Sequence, residues 1–283
     1  MIHPAARLRA LEQRARRRFG QNFLVSVDSV DRIVRAAEVQ PGDRVLEIGP
    51  GLGILTERLR DAGAEVRCVE IDRDLAAALQ ELWPDLALVN ADAMKVDFGA
   101  ICAEPGWKVV ANLPYNVATP LLLRLLARPD RFRAMTLMFQ REVGDRILAE
   151  AGESARGSLS VQVQARAKVR PVLHLPPGAF HPPPKVHSVV LGFELHPRPD
   201  FGVVDGAAFD RIVRLGFQHR RKTLLNSLSS GLDRSHAQAA CDAAGVDAGR
   251  RAETLTLEEW RRLVVAARAE ARTENDADAS EDG

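Results

Sequence analysis

Residues 44–59 hold an apolar run, a glycine-rich turn and a helical repeat in immediate succession, and this order constrains the fold more than any other stretch. Arg44 to Ile48 reads as a short buried strand, with Val45, Leu46 and Ile48 apolar. It runs straight into Gly49-Pro50-Gly51-Leu52-Gly53, after which Leu52, Leu55 and Leu59 recur on one helical face. Strand, glycine turn and helix in that order are the start of an α/β unit, and the turn lets backbone approach a nucleoside closely. The spacing is G-x-G-x-G. Ile54 stands where a dinucleotide fingerprint wants Gly or Ala, and the G-K-[ST] ending of a phosphate loop is missing. Taken alone, the turn fits a tight structural connection equally well.

The following strands narrow the choice. Val66 to Ile71 is a second apolar strand, flanked at its end by Glu70 and Asp72. An acidic side chain about 20 residues past such a loop is placed to hold a ribose diol. Leu86 to Val89 is a third, ending in Asn90-Ala91-Asp92-Ala93, where Asp92 can accept from an adenine amine. A fourth, Val109-Val110-Ala111, ends in Asn112-Leu113-Pro114-Tyr115-Asn116. Proline stops the strand, because it cannot donate to a ladder and biases the residue before it away from helix. An amide and an aromatic ring are thereby left at a strand's carboxyl end. The amide oxygen can accept from an exocyclic amine while the ring stacks on a base. Ligands of open α/β sheets sit outside these strand ends.

Strands and helices alternate to about Glu150, as a mostly parallel sheet requires. Thr119 to Ala127 reads as an amphipathic helix and Ala134 to Phe139 as a buried strand. Ala165 to Leu175 and Val186 to Leu195 read as two long strands at a sheet edge. Between these two lies Phe180-His181-Pro182-Pro183-Pro184-Lys185-Val186, a stiff loop that can hold Phe180 at a site mouth. Residues 196–205 read as a linker, and 206–269 show only helical periodicity. The boundaries expected are a basic arm over 1–18, a catalytic domain over 19–195, a helical domain over 206–269 and a disordered acidic tail over 270–283.

At 283 residues the chain has room for one large domain and a small one, and a hydrophobic content of 46% supports a sizeable core. No apolar run reaches membrane-spanning length, and the basic start carries no signal core. Cys68, Cys102 and Cys241 lack paired spacing. They are expected to be buried thiols in a reducing, cytoplasmic compartment, with no metal site. The net charge of +1 conceals a polar distribution. Arg7, Arg9, Arg14, Arg16, Arg17 and Arg18 crowd the N-terminal arm. His219-Arg220-Arg221-Lys222, preceded by Arg211 and Arg214, forms a second cluster. Both suit phosphate contacts, and either also suits a solvated helix face.

These motifs together resemble the ribosomal RNA adenine dimethyltransferases of the kasugamycin-resistance type. The resemblance runs from Phe19 to about Trp260 and rests on G-Q-N-F-L at 20–24, E-I-G-P-G-L-G at 47–53, V-E-I-D at 69–72 and N-A-D-A at 90–93. It continues through N-L-P-Y-N at 112–116, F-H-P-P-P-K-V-H-S at 180–188 and R-R-K-T-L at 220–224. His181, Pro183 and His219 are small departures from the family's pattern. The resemblance implies a class I methyltransferase fold, Rossmann-like with a mostly parallel seven-stranded sheet and a small C-terminal helical domain, using S-adenosylmethionine (SAM). It implies that Asn22 and Leu24 close over SAM, that Gly49 and Gly51 lie beneath it, and that Glu70 holds its ribose. Asp92 and Ala93 are expected at its adenine, and Asn112 at the junction with the target base.

The implied reaction places two methyl groups on the 6-amino nitrogen of each of two adjacent adenines near the 3′ end of 16S rRNA. The substrate expected is a 30S subunit or its precursor, and the enzyme is expected to be a monomer. An adenine amine is a poor nucleophile, because its lone pair is delocalised. The Asn112 side-chain oxygen and the Leu113 carbonyl are expected to accept its two hydrogens and aim the lone pair at the methyl. Tyr115 and Phe180 are expected to sandwich the base, and Arg220, Arg221, Lys222 and Lys185 to bind RNA. Two alternatives stay open: a SAM-binding assembly factor without turnover, and an adenine methyltransferase acting on 23S rRNA or on DNA.

Overall fold

The computed structural model describes residues 22–198, 201 and 205–268. The arginines at 7–18, the acidic tail at 270–283, Gly20 and Gln21 lie outside the described residues.

The first described strand, β1, is only Phe23–Leu24. Helix α1 (Val27–Ala36) starts where the Ser26 hydroxyl accepts from the Ser29 amide, and it buries Val30 and Ile33. Strand β2 (Arg44–Ile48) leads through the glycine turn into α2 (Ile54–Asp61). Strand β3 (Glu65–Glu70) is followed by α3 (Arg73–Leu82), capped by the Asp72 carboxylate, which accepts from the Asp74 and Leu75 amides. Then come β4 (Ala87–Asn90), the short α4 (Phe98–Ile101), β5 (Trp107–Asn112), α5 (Ala118–Leu126) and β6 (Phe132–Gln140). After α6 (Arg141–Leu148) and α7 (Ser158–Gln164), the chain forms β7 (Ala167–Leu175), β8 (Phe180–His181) and β9 (Ser188–Leu195).

Seven strands form one sheet in the order β4-β3-β2-β5-β6-β9-β7. β2 lies parallel to β3 and β5, β3 to β4, and β5 to β6, while β9 runs antiparallel to β6. β2, β5 and β6 carry buried residues almost throughout, as a sheet covered on both faces requires. The chain walks from β2 outward to β4, then returns to the other side of β2 for β5 and β6. The carboxyl ends of β2 and β5 therefore flank the point where the strand order reverses, which is where such sheets open a crevice. At the opposite end of β5, the buried Lys108 ammonium is held by the Asp43 carboxylate at 2.9 Å and by the Ala37 and Glu38 carbonyls at 3.1 and 2.5 Å. β1 and β8 form a separate two-stranded antiparallel sheet, with Phe23 opposite His181 and Leu24 opposite Phe180.

The chain divides into two compact units. One holds the described residues up to Gly144 together with Lys168–Pro197. The other holds Asp145–Ala167 and the described residues from Arg198 onward. This corrects the expected 19–195 block, because residues 145–167 group with the C-terminal helices. The helical unit contains α8 (Gly206–Gly216), α9 (Leu224–Leu228), α10 (Arg234–Ala244) and a helix described over 257–268. Val161 of α7 and Ala165, just past its end, share its core with Phe209, Cys241 and Trp260, and Phe217 stacks on Trp260 at 5.5 Å. Within the same unit the Arg166 guanidinium is tied to Asp210 at 2.9 Å. Among the described residues, no helix is long and apolar enough to cross a membrane, and no cluster of His, Cys, Asp and Glu is suited to a metal.

Candidate active site

A cavity of about 480 Å³ opens at the carboxyl ends of β2, β3, β4 and β5. Its size suits a small-molecule site. Four loops build it: the glycine turn 49–53, the segment after β3, the 91–94 segment after β4, and the 112–117 turn after β5.

Gly49 and Gly51 line the floor with φ of 69° and 55°, a left-handed conformation that glycine adopts without cost. Gly51 is also needed for space, since a side chain there would meet the Phe23 ring at 3.0 Å. Glu70 closes β3. It is 2% exposed, and its two oxygens accept from the backbone amides of Gly51 at 3.1 Å and Asp72 at 2.9 Å. Burial pushes its carboxyl above the usual range, while these amide donors pull the other way. Each Glu70 oxygen keeps a lone pair for a ligand hydroxyl. The Asn90 amide donates to the Glu70 carbonyl at 2.8 Å and holds β4 in register. Asp92 accepts from the Met94 amide at 2.8 Å, which fixes the loop that brings Asp92, Ala93 and Met94 to the wall. Arg124 of α5 donates to the Ala93 and Val96 carbonyls at 2.9 and 2.8 Å and closes that loop from behind.

Behind the glycine turn lies Glu47, fully buried on β2. The Thr56 hydroxyl donates to it at 2.6 Å, and the Cys68 thiol lies at 3.8 Å. Burial raises its carboxyl to about 8, so it is mostly neutral at pH 7. The Glu47–Thr56 bond ties β2 to the first turn of α2 across the loop.

The other wall is the turn after β5. The Asn112 amide nitrogen donates to the Asn22 carbonyl at 3.2 Å, which leaves the side-chain oxygen as an acceptor. Leu113 and Pro114 follow, and the Val117 amide closes the turn on the Pro114 carbonyl at 3.1 Å. Tyr115 lines the cavity with its hydroxyl 2.7 Å from the Ser188 hydroxyl. Burial raises the phenol, and the Ser188 bond acts in the opposite direction.

Of the residues expected at the cofactor, Asn22, Gly49, Gly51, Glu70, Asp92, Ala93 and Asn112 all line the cavity, as do Leu113 and Tyr115. Two expectations fail. Leu24 is 8% exposed and packs into the core of the sheet unit, while its neighbour Phe23 takes the position over the glycine turn. Strand alternation explains the exchange, because successive side chains of β1 point to opposite faces. Phe180 is 3% exposed, belongs to the same core and does not line the cavity. Its backbone is paired with Leu24, which turns the ring inward, so it does not cap a second face of a base. Phe23, Ile71, Met94 and Asn116 are lining residues that the sequence reading did not single out.

The expected RNA contacts are on the surface. Lys185 is exposed on the loop before β9. Arg220, Arg221 and Lys222 are exposed in a turn leading to α9, not on a helix. Arg220 donates to the Ser154 carbonyl, so part of its donor capacity is already used.

The family model described as "Ribosomal RNA adenine dimethylase" matches residues 12–268. The Ribosomal RNA small subunit methyltransferase A of Syntrophotalea carbinolica is 48% identical over 255 residues, covering 89% of this chain and 97% of that protein. A dimethyladenosine transferase from Plasmodium falciparum superposes with a TM-score of 0.73 at 25% identity, covering 88% of this chain and 98% of that one. The 23S rRNA methyltransferase ErmE superposes with a TM-score of 0.64 at 28% identity, covering 87% of this chain and all of that one.

Proposed function

The chain belongs to the ribosomal RNA adenine dimethylase family, and on that premise we propose that it dimethylates the 6-amino groups of two adjacent adenines near the 3′ end of 16S rRNA. The sheet unit is a class I SAM-dependent methyltransferase fold, and SAM is the cofactor. The observation that carries the reading is the pairing, in one cavity, of a buried carboxylate on β3 with an amide whose oxygen is free to accept on β5.

The cavity fits SAM on its own geometry. The left-handed glycines leave room where any side chain would collide with Phe23 or strain the backbone. Glu70 offers two oxygens to a ribose diol, Asp92 offers an acceptor to an adenine amine, and Ile71 and Met94 supply apolar wall. When bound, SAM supplies an electrophilic methyl. The protein's task is to orient the amine. The Asn112 oxygen and the Leu113 carbonyl accept the two amine hydrogens, draw the nitrogen toward tetrahedral geometry and stabilise the positive charge that develops on it. Tyr115 stacks on the base, which must leave its own stack to enter. These acceptors orient the amine but do not take its proton, which the cationic methylated nitrogen releases to water once the methyl has been transferred and the neutral thioether has left. A singly methylated amine retains one hydrogen and can rotate to present its lone pair again.

The basic turn at 220–222 and Lys185 are proposed as phosphate contacts, with the helical unit as the RNA-gripping part. The substrate is proposed to be the assembled 30S subunit or its late precursor, the enzyme a cytoplasmic monomer without metal. ErmE, which shares this fold, is named for 23S rRNA, so fold alone does not choose the RNA. The deciding experiment incubates the protein with undermodified 30S subunits, 50S subunits and a naked 16S hairpin in the presence of labelled SAM, then maps the label. Dimethyladenosine at adjacent adenines of 16S rRNA in 30S alone is the expected result. Label confined to 50S, or none despite SAM binding, rejects it.

A further inference from the structure

Tyr115 is the sole tyrosine of the chain, and its hydroxyl is paired with another side chain. It sits 2.7 Å from the hydroxyl of Ser188, a side chain with 0% exposure. Ser188 is remote in sequence and is the first residue of β9. Its place is fixed from two sides. It lies opposite Gln140 in the antiparallel β6–β9 pair, and the preceding His187 carbonyl accepts from the Arg141 amide at 2.9 Å. The backbone end of Tyr115 is fixed as well, by the turn closed between Pro114 and Val117. A tyrosine ring has two side-chain torsions, so a ring held at its Cα and again at its hydroxyl cannot swing. The cavity wall made by this ring is therefore set by β9, the strand antiparallel to β6, not by the turn alone.

We propose that Ser188 is a positioning residue for base methylation, holding the Tyr115 ring by its hydroxyl so that the ring face is already presented when the target adenine enters. The inference rests on the reading that Tyr115 stacks on that base. Pre-organisation of this kind acts on the RNA step, because an unordered ring must be ordered at the moment of binding. SAM binding draws on other residues and is left alone. A buried Ser with no role beyond packing would instead affect stability and both substrates together.

The test uses the full chain with undermodified 30S subunits and SAM. Ser188→Ala and Tyr115→Phe delete the same hydrogen bond from opposite ends. Each is expected to lower kcat/KM for the subunit about 3- to 10-fold, the size of one net hydrogen bond, with SAM affinity unchanged. The double variant is expected to be no worse than either single one, since both remove one interaction. Ser188→Thr, which keeps the hydroxyl, is expected to restore activity. Because there is one tyrosine, 3-fluorotyrosine gives a single fluorine resonance, which Ser188→Ala is expected to shift and to broaden. Additive losses in the double variant, a fall in SAM affinity with Ser188→Ala, or an unchanged resonance with unchanged rate each overturn the proposal. Tyr115→Leu separates the two layers. If Tyr115→Leu is crippled while Ser188→Ala matches wild type, the inference alone fails. If Tyr115→Leu matches wild type, the stacking reading fails and takes the inference with it.

Discussion

The two walls of the cavity are held by different means. On the β2–β4 side, the functional carboxylates are fixed by backbone amides close by in the fold: Gly51 and Asp72 on Glu70, Met94 on Asp92. On the β5 side, the functional side chains are fixed by partners far along the chain, with Asn112 on the Asn22 carbonyl and Tyr115 on Ser188. The first wall is complete once three neighbouring strands have formed. The second depends on segments from both ends of the sheet unit. A wall of local bonds tolerates change elsewhere, whereas a wall of remote bonds ties target chemistry to distant residues. Cofactor binding and methyl transfer should therefore separate under mutation.

The largest expected effect breaks the second wall at its centre. Asn112→Ala removes the acceptor for the amine and is expected to slow methyl transfer about 100- to 1000-fold in single-turnover assays, with SAM affinity little changed. A variant that turns over at the wild-type rate ends the assignment of Asn112. Glu70→Ala attacks the first wall. Loss of the charge-assisted bonds to a ribose diol is expected to weaken SAM binding by about 1.5–3 kcal/mol, measured by calorimetry, and unchanged binding would place the diol elsewhere.

A less direct effect probes the support under the first wall. Burial lifts Glu47 to about 8, so the folded protein keeps this proton over a range in which the unfolded chain has released it. Folding takes up a proton between the ordinary carboxyl value and about 8. Stability is thus full below the ordinary value and is lost as pH rises through that window. Glu70, raised in the same direction, adds to the trend. Glu47→Gln is expected to remove a pH-dependent loss on the order of 3–4 kcal/mol between pH 5 and 8, seen as a flatter plot of melting temperature against pH. An identical slope in the variant would mean that Glu47 is ionised when folded. The smallest effect lies outside both walls. Neutralising Arg221 and Lys222 is expected to reduce the slope of log affinity for RNA against log salt by about 2, one per phosphate contact. SAM affinity serves as the control.

The same contrast explains what was legible in the sequence. The strand–turn–helix order, Glu70, Asp92 and the Asn112 turn could be read because each sits at the end of a local pattern, and the fold brings strand ends together by rule. Phe23 and Leu24 exchanged places because a two-residue strand has no period from which its inward face can be read. Phe180 is expected at the site mouth because a stiff proline-rich loop follows it, yet its position is set by pairing with Leu24. Ser188 closes the F-H-P-P-P-K-V-H-S motif, but its contact with Tyr115, 73 residues away, has no local sign. Residues 145–167 were grouped with the sheet by sequence order. Helical periodicity shows which face is apolar but not whose core receives it, and Val161 and Ala165 go to the core of Trp260 and Phe209. The basic turn at 219–222 looked like a continuation of α8, with nothing in its charge pattern to mark the break.

The pairing of β1 with β8 has a consequence in time. Leu24 meets Phe180 only after almost the whole sheet unit has been synthesised, and a ladder two residues long cannot offset the entropy of closing so large a loop by itself. It forms because the completed core presents both segments together, so it comes late in folding. Asn22, next to that ladder, receives the Asn112 amide. A chain that ends before residue 180 therefore lacks the partner of β1, and with it the ladder beside the Asn22 carbonyl that receives the Asn112 amide.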